Sequence, residues 1–457
     1  MSFIGDQTTV RFHFDHTERA PNQVTISKSF ASRYFHQEEK EVTLSIGSWE
    51  EKVLIAIDSN LSDETMVLSP SLFPFDGVVK ADTFYYLKIK EGHAWHIGPL
   101  VAMLLNEGHL DREEPFGHLT SFSDELADYA KKSGAMFVVI PLNHQEASDL
   151  KGFYQKDGMW RYGPIPFPDV VYNRLSTPEK ENSKKGKKLF GLLKEKNIPF
   201  FNDRFIHKWE MHQLLFQHAQ LRPYLPDTVL SIDRERFLTF TKMYKQLYIK
   251  PIWGREGNGI LRMTCHDHSL EAEYPSDTIQ RTFHFRSFDH FYKTLEPRFK
   301  EKGYVVQEAI PLFTVDGSLV DIRVLTIKNG KGEWEVASKI ARCGVKNQIV
   351  SNVAKGGEQR KVLDTLEGAF PELHVFHLIR FLNELAIETA QTIEEELGES
   401  GCYGEFGIDI GIDNNGHPWI LEVNSKPSKS YDTPDQDKVR PSVKKLLSFG
   451  HYLSGLD

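Results

Sequence analysis

One stretch of twenty residues constrains this chain more than any other: Glu405-Phe-Gly-Ile-Asp409-Ile-Gly-Ile-Asp413-Asn-Asn-Gly416-His-Pro-Trp-Ile-Leu-Glu422-Val-Asn424. Two β-patterned runs flank Asn415-Gly416, the dipeptide favoured in a two-residue type I′ turn because both central residues need φ > 0. That turn sets residue 414 opposite 417, and counting outward sets Asp409 opposite Glu422 and Gly407 opposite Asn424. Side chains alternate along a strand, so all four share one face. Directly opposed residues have Cβ atoms about 4.5–5.5 Å apart, where like charges repel. Ile408, Ile410, Ile420, Leu421 and Val423 mark strands buried enough to make unpaired carboxylates costly. A cation between Asp409 and Glu422 resolves the conflict. Two carboxylates and the Asn424 amide form an oxygen-rich donor set suited to Mg²⁺ or Mn²⁺, which keep some waters and take the rest of their shell from nucleotide phosphates. Gly407 and Gly411, on the face of Asp409, are expected to leave room for a bulky polyphosphate. The competing reading is a solvated strand face.

Such a site needs a polyanion, and Lys250-Pro-Ile-Trp-Gly254-Arg-Glu-Gly257-Asn-Gly259-Ile follows the strand-like Leu247-Tyr-Ile249. Gly254, Gly257 and Gly259 let backbone N–H groups close over phosphates, and Lys250 at the strand end offers a point charge. The loop lacks the Gly-Lys-Ser/Thr ending of a P-loop, and no helical pattern follows directly, so neither a P-loop nor a Rossmann turn fits. An ordinary hairpin loop is the alternative. Further cations stand in Asp321-Ile-Arg323 and Ala337-Ser-Lys339-Ile-Ala-Arg342, β-patterned segments joined by Asn329-Gly-Lys-Gly332. Asp321 and Arg323, two apart, face the same side. Lys339 and Arg342, three apart, cannot share a face without a bulge. Arginine suits a transferring phosphoryl group because its planar fork binds two oxygens and stays charged; a surface ion pair is the alternative for each.

Composition bounds what surrounds this site. Across 457 residues, 40% hydrophobic content with 31 Phe and 16 Tyr suffices for two or three domains and excludes wholesale disorder. The formal net charge of -9 argues against general attraction to nucleic acid or an anionic membrane. Cys265, Cys343 and Cys402 are too few and scattered for a disulfide framework or a CxxC metal site, and are expected as buried thiols in a reducing compartment. The start Met-Ser-Phe-Ile-Gly-Asp-Gln lacks the basic and apolar parts of a signal peptide, and no run of about 18 apolar residues occurs. The expectation is a cytoplasmic chain without membrane insertion.

Residues 1–93 alternate with period two between turn signals, as in Val42–Ile46, Val53–Ile57 and Phe84–Ile89, and read as short antiparallel strands of a barrel or sandwich. A strand at Ile97–Leu104, a helix at Ser121–Ser133 and strands at Ala135–Pro141 and Asp169–Tyr172 imply an α/β unit over 94–199. The four lysines of Ser183-Lys-Lys-Gly-Lys-Lys188 precede Leu189, Leu192 and Leu193 at helical spacing, a solvated helix face rather than a polyanion site. Residues 200–457 follow as one organisation: a helix around 207–221, strands near 228–232 and 246–252, β segments from 304 to 343, a helix at 374–397 capped by Gly398, the hairpin, and a helix at 440–453.

In order, spacing and type these residues resemble the ATP-grasp superfamily: an early lysine, Lys208; the Lys250-Pro-x-x-Gly loop; Gln307-Glu308 after an apolar strand; Asp-Ile-Arg323; and Asp409 thirteen residues before Leu-Glu422-Val-Asn424. More narrowly, Val171-Tyr-Asn-Arg174, His207-Lys-Trp-Glu, Ser351-Asn-Val-Ala-Lys-Gly-Gly357 and Leu-Glu-Val-Asn-Ser-Lys-Pro look like the spore-coat-associated YheC/YheD family of endospore-forming bacteria. The superfamily likeness covers about residues 200–455, and the family likeness extends loosely into 95–175. What the resemblance implies is an α/β and α+β multidomain chain: an N-terminal β domain (1–93), a pre-ATP-grasp α/β domain (94–199) and a two-lobed ATP-grasp domain (200–457). It implies ATP with Mg²⁺, or Mn²⁺, as cofactors. Lys208, Lys250 and the loop glycines Gly254, Gly257 and Gly259 would meet phosphates, Gln307, Glu308, Ala309 and Ile310 the adenine, and Asp409, Glu422 and Asn424 two metal ions. Arg323, with Arg342 and Asn352 nearby, would face the γ-phosphate and an acyl-phosphate as catalytic groups. The implied activity is a carboxylate–amine ligase acting on an amino acid or peptide, cytoplasmic or deposited on the spore coat, with coat proteins as partners. D-alanine:D-alanine ligase-like members carry an arginine two residues before the first metal Asp, where Gly407 stands here, so their substrate recognition does not carry over. The competing readings are a catalytically silent ATP-binding structural or assembly protein of the coat, and an ATP-grasp small-molecule kinase.

Overall fold

The structure, a computed structural model, describes residues 6–15, 22–34, 40–75, 77–90, 93–145, 149–254, 258–274, 281–346, 356–398, 401–429 and 439–456. The chain divides into two compact units, one of Met1–Arg204, Lys328–Glu333 and Asp432–Asp457, the other of Phe205–Ile327 and Trp334–Tyr431. Among the described residues no helix is long and apolar enough to cross a membrane.

In the first unit, β1 (Asp6–Phe14), β2 (Gln23–Ser27), β3 (Glu41–Ile46), β4 (Trp49–Asp58), β5 (Thr65–Leu68), β6 (Phe84–Lys90) and β7 (Ala94–Gly98) close a barrel in the order β1-β5-β2-β4-β3-β7-β6, and α1 (Lys28–Tyr34) follows β2. Alternation sets its lining: Val42, Leu44 and Ile46 of β3 and Tyr85, Leu87 and Ile89 of β6 are buried, while the residues between them are not. The expectation of antiparallel strands needs correction, because β1–β5, β2–β4 and β3–β7 pair in parallel. Period two reports a half-buried strand and carries no direction.

The rest of that unit is a six-stranded sheet in the order β11-β10-β9-β8-β12-β13. Its strands are β8 (Leu100–Leu105), β9 (Met136–Pro141), β10 (Lys151–Lys156), β11 (Met159–Pro164), β12 (Val170–Asn173) and β13 (Phe200–Phe201). β8, β9, β12 and β13 run parallel, with the β10–β11 hairpin antiparallel at one edge. β8 and β9 are buried at every residue, as parallel strands covered on both faces must be. The apolar run expected as one strand from Ile97 is two strands, because Pro99 has no N–H for a ladder. The helices α2 (Thr120–Lys132), α3 (Pro178–Asn182) and α4 (Lys184–Glu195) belong here. α4 buries Leu189 and Leu193 and exposes its four N-terminal lysines, a solvated face. The chain's last helix, α10 (Pro441–Ser454), packs Phe449 on Phe201 with ring centroids 5.2 Å apart.

The second unit holds two sheets. The first, in the order β14-β19-β15-β16-β17-β18, comprises β14 (Thr228–Leu230), β15 (Gln246–Pro251), β16 (Leu261–Cys265), β17 (Leu270–Tyr274), β18 (Arg281–Phe285) and β19 (Tyr304–Glu308). α5 (Lys208–Phe216), α6 (Arg234–Met243) and α7 (Phe288–Lys302) accompany it in sequence. α5 stops short of the expected residue 221, its last carbonyl capped by Arg222 Nε at 2.6 Å. The second sheet runs β23-β22-β21-β24-β25, built from β21 (Ser318–Lys328), β22 (Trp334–Cys343), β23 (Glu358–Arg360), β24 (Glu405–Ile412) and β25 (Pro418–Asn424), with the short β20 (Thr314–Val315) paired to β21. After α8 (Val362–Glu367), the long α9 (Glu372–Leu397) buries Val375, Leu378, Leu382, Leu385 and Ile393 in the core that also takes Phe406, Ile408, Ile410 and Ile412 of β24. Gly398 follows with φ 49°. Cys343 is buried, Cys265 and Cys402 are partly exposed, and no disulfide joins them.

Candidate functional site

The β24–β25 hairpin sets the register of the site. The structure replaces the expected two-residue turn by a three-residue loop, Asn414-Asn415-Gly416, in which Asp413 N donates to His417 O at 3.0 Å and Gly416 has φ 82°. The reason lies in Asp413, whose Oδ1 accepts the N–H groups of Asn415 (2.8 Å) and His417 (3.0 Å) and so fixes a wider loop. That loop alone would slip the register and set Asp409 opposite Leu421. A bulge cancels the slip: Ile410 pairs with Ile420, whereas Asp409 pairs with Glu422 and Gly407 with Asn424, leaving Leu421 as the extra residue. On the other side of β24, Asp409 lies beside Arg323 of β21. Three neighbouring strands thus place Arg323, Asp409 and Glu422 in one lateral row.

The cations that Asp409 and Glu422 require are side chains. Asp409 accepts from Arg323 Nε and, at 2.9 Å, Arg323 Nη2, and from Arg342 Nη2 at 2.8 Å. Arg342 Nε donates to Asp321 Oδ1 at 2.6 Å, so the charges form a chain from Asp321 through Arg342 and Asp409 to Arg323. All four side chains are nearly buried. Burial on its own would push the Asp409 carboxyl up, but Arg323 and then Arg342 outweigh it and hold the group below the usual carboxylate range. Burial likewise works against the charge on Arg342, and Asp321 and Asp409 more than compensate, raising its pKa. Glu422 pairs with Lys208 Nζ at 3.2 Å, and the same ammonium donates to the Gly254 carbonyl at 2.8 Å.

Lys250 is held differently. Its Nζ donates to Gln307 Oε1 at 2.6 Å, and Gln307 Nε2 donates in turn to Thr228 Oγ1 at 3.2 Å. Burial lowers its ammonium to about 8, Lys208 pushes the same way, and Glu422, Asp409 and Asp321 pull against them. At the neighbouring positions, Glu308 N donates to Asp227 O and Ala309 N to Gln246 O, while Ile310 O accepts from Leu312 N. The Glu308 carboxyl is raised by burial and then by Asp227.

The remaining sequence candidates divide. Gly254 receives the Lys208 bond through its carbonyl, and Gly259 is exposed with φ 76°. Gly257 and Asn352 lie outside the described residues. Lys339 donates to Asn383 of α9 at 3.0 Å, whereas Arg342 joins the carboxylates, as three-residue spacing on a strand requires. The expectation that Gly407 and Gly411 leave room for a polyphosphate is wrong. A Cβ on Gly407 would stand 2.6 Å from Pro427 Cβ and 3.3 Å from Arg323 Nη1, and one on Gly411 2.5 Å from Leu312 Cδ2. These glycines admit protein atoms. Asp321 is the residue that sequence reasoning left without a role, although its offset from Arg323 already puts both on one side.

The donor set of Asp409, Glu422 and Asn424 fits a hard divalent cation of the nucleotide-dependent kind, which takes one or two carboxylates and completes its shell with phosphates. Among the described residues no group of three or more His, Cys, Asp or Glu converges.

A family profile described as YheC/D like ATP-grasp matches residues 197–453. The chain is 29% identical over 375 residues to the endospore coat-associated protein YheD of Bacillus subtilis (strain 168), covering 79% of this chain and 80% of that protein. It is 25% identical over 318 residues to the endospore coat-associated protein YheC of the same strain, covering 68% and 86%. A 61-residue stretch, 13% of this chain, is 43% identical to 4% of the tubulin polyglutamylase TTLL5 of Mus musculus.

Proposed function

The chain belongs to the YheC/D-like ATP-grasp family, and from that premise we propose that it is an ATP- and Mg²⁺-dependent carboxylate–amine ligase, acting through an acyl-phosphate on an amino acid or peptide. The observation that carries the reading is the row Arg323–Asp409–Glu422, which sets a nearly buried arginine on one side of Asp409 and a second carboxylate on the other, with Lys208 on that second carboxylate. The short likeness to a tubulin polyglutamylase supports an amino acid or peptide substrate. Relatives named for the endospore coat support a role in the sporulating cell, in the cytoplasm or on the coat.

In this reading Lys250 and Lys208 receive the phosphates of ATP. Asp409, Glu422 and Asn424 hold Mg²⁺, which when bound neutralises phosphate charge. Arg323 and Arg342 face the oxygens on which charge gathers as the γ-phosphoryl group moves. A substrate carboxylate oxygen attacks the γ-phosphorus and ADP leaves; an amine then attacks the acyl carbon, phosphate departs with the C–O bonding pair, and the ammonium proton passes to water. Such chemistry draws on positioning and fixed charge more than on a covalent group of the protein.

The test is mass spectrometry of amino acids and peptides incubated with the protein, Mg²⁺ and ATP. The reading requires a condensation product lighter than its parents by one water, with ADP and phosphate formed in equal amounts. A stable phosphorylated product without an amide identifies a kinase, and nucleotide binding with no product from any pair opposes catalysis.

A further inference from the structure

The chain Asp321–Arg342–Asp409–Arg323 holds two carboxylates and two guanidiniums in alternation, and its order has a consequence for metal binding. Asp409 is shared between both arginines, and Arg342 between both aspartates, with 2.6 Å to Asp321 Oδ1 and 2.8 Å to Asp409 Oδ2. A cation that takes the Asp409 oxygens competes with both arginines and, having displaced them, stands close to two positive charges. Removing one partner from a buried ion pair is strongly destabilising, because it leaves a desolvated charge uncompensated.

We infer that Asp321 is a positioning residue: it retains Arg342 when Asp409 turns to a divalent cation, so that the metal and the phosphates enter by exchanging partners within this chain. The inference rests on the ligase reading. Arg342 then keeps one carboxylate throughout, while phosphate oxygens replace Asp409 as the partner of Arg323. Metal and nucleotide bind together, since each supplies the charges that the other displaces. Asp321 itself touches neither substrate nor metal, and acts through Arg342.

Two variants separate this from a merely structural role. In Asp321→Asn the neutral amide keeps the shape but removes the carboxylate charge that competes with Asp409 for Arg342, which strengthens the competition with metal. Mn²⁺ is titrated against the full chain with β,γ-imido-ATP, and free Mn²⁺ is counted by electron paramagnetic resonance. The Mn²⁺ midpoint should rise about tenfold in Asp321→Asn, the scale of a hydrogen bond to a charged group. Affinity for the nucleotide analogue in a chelator should change by less than about threefold. Removing the competitor as well, in Asp321→Asn/Arg342→Gln, should bring the midpoint back to within about threefold of wild type. A double variant as poor as the single one, or an unshifted midpoint in Asp321→Asn, overturns the inference. Should Asp321→Asn fail to fold, Arg342→Gln alone decides: an unchanged or lower midpoint supports the exchange, and a higher one overturns it. A wild-type chain that shows no Mn²⁺-dependent binding of the analogue overturns the ligase reading, and this inference with it.

Discussion

The two sheets of the second unit treat positive charge in opposite ways. On β15, Lys250 gives its hydrogen bond to the neutral amide of Gln307, and burial lowers its pKa to about 8. On β21 and β22, Arg323 and Arg342 are joined to carboxylates, and the partners of Arg342 raise its pKa despite burial. A cation resting on a neutral amide loses little when a phosphate arrives. A guanidinium already paired must give up one partner to take another. The lysine side is therefore suited to ground-state affinity, and the arginine side to a response that waits for metal and for charge developing in transfer.

The largest expected effect tests whether charges in the second sheet depend on their partners. Glu405 at the start of β24 and Lys429 form a fully buried ion pair. Lys429→Met should cost about 3–5 kcal/mol by removing the charge set against the buried Glu405 carboxylate, and the double change Glu405→Leu/Lys429→Met should recover most of it. Denaturant midpoints measure both; a single-variant cost below about 1 kcal/mol, the range of an exposed pair, breaks the contrast.

Next in size is the contrast between binding and turnover. Arg323→Ala should keep near-normal nucleotide affinity and lose turnover by about 10²-fold or more, as for a group that meets developing charge. Lys250→Ala should instead raise the nucleotide Kd about tenfold, through loss of a charge-assisted hydrogen bond. Calorimetry and phosphate release separate the two, and normal turnover in Arg323→Ala removes that residue from the chemistry.

The smallest effect is a pH dependence belonging to the lysine side alone. Lys250 is charged below about 8 in the folded protein and below about 10.5 when unfolded. Between these values the unfolded chain binds more protons, so this group's contribution to stability rises with pH. Nucleotide binding has the opposite sign: affinity should fall by up to about tenfold per unit above pH 8, as the ammonium is lost. Lys250→Arg should hold its affinity to higher pH, and identical profiles for the two proteins would remove Lys250 from the phosphate contacts.

Much of this site is legible in the sequence because strand periodicity and residue chemistry are local. The alternation of Ile408, Asp409 and Ile410 and the Glu422-Val-Asn424 run suffice to put two carboxylates on one face. The pairing of Asp409 with Glu422 is reached from the sequence through a turn that does not form: the Asp413 carboxylate widens the loop, and the bulge at Leu421 restores the register. The dipeptide signal alone announces neither event: the loop width is set by the Asp413 side chain two residues before Asn415, and the bulge lies farther along the ladder from that turn. Gly407 and Gly411 mislead for a related reason. A glycine announces close approach but not what approaches, and here Pro427 and Leu312 do. Asp321 is visible as a neighbour of Arg323, yet its bond to Arg342 requires knowing that β22 turns Arg342 to the carboxylates and Lys339 to α9. Strand direction in the barrel is illegible by nature, because period two is the same in parallel and antiparallel pairs.

The most direct test of the contrast is calorimetry of β,γ-imido-ATP with wild type, Asp409→Asn and Lys250→Ala, each with Mg²⁺ and in a chelator. The account predicts that Asp409→Asn loses the gain in affinity that Mg²⁺ gives and keeps its metal-free affinity, while Lys250→Ala weakens both. Equal losses with and without Mg²⁺ in Asp409→Asn would contradict it.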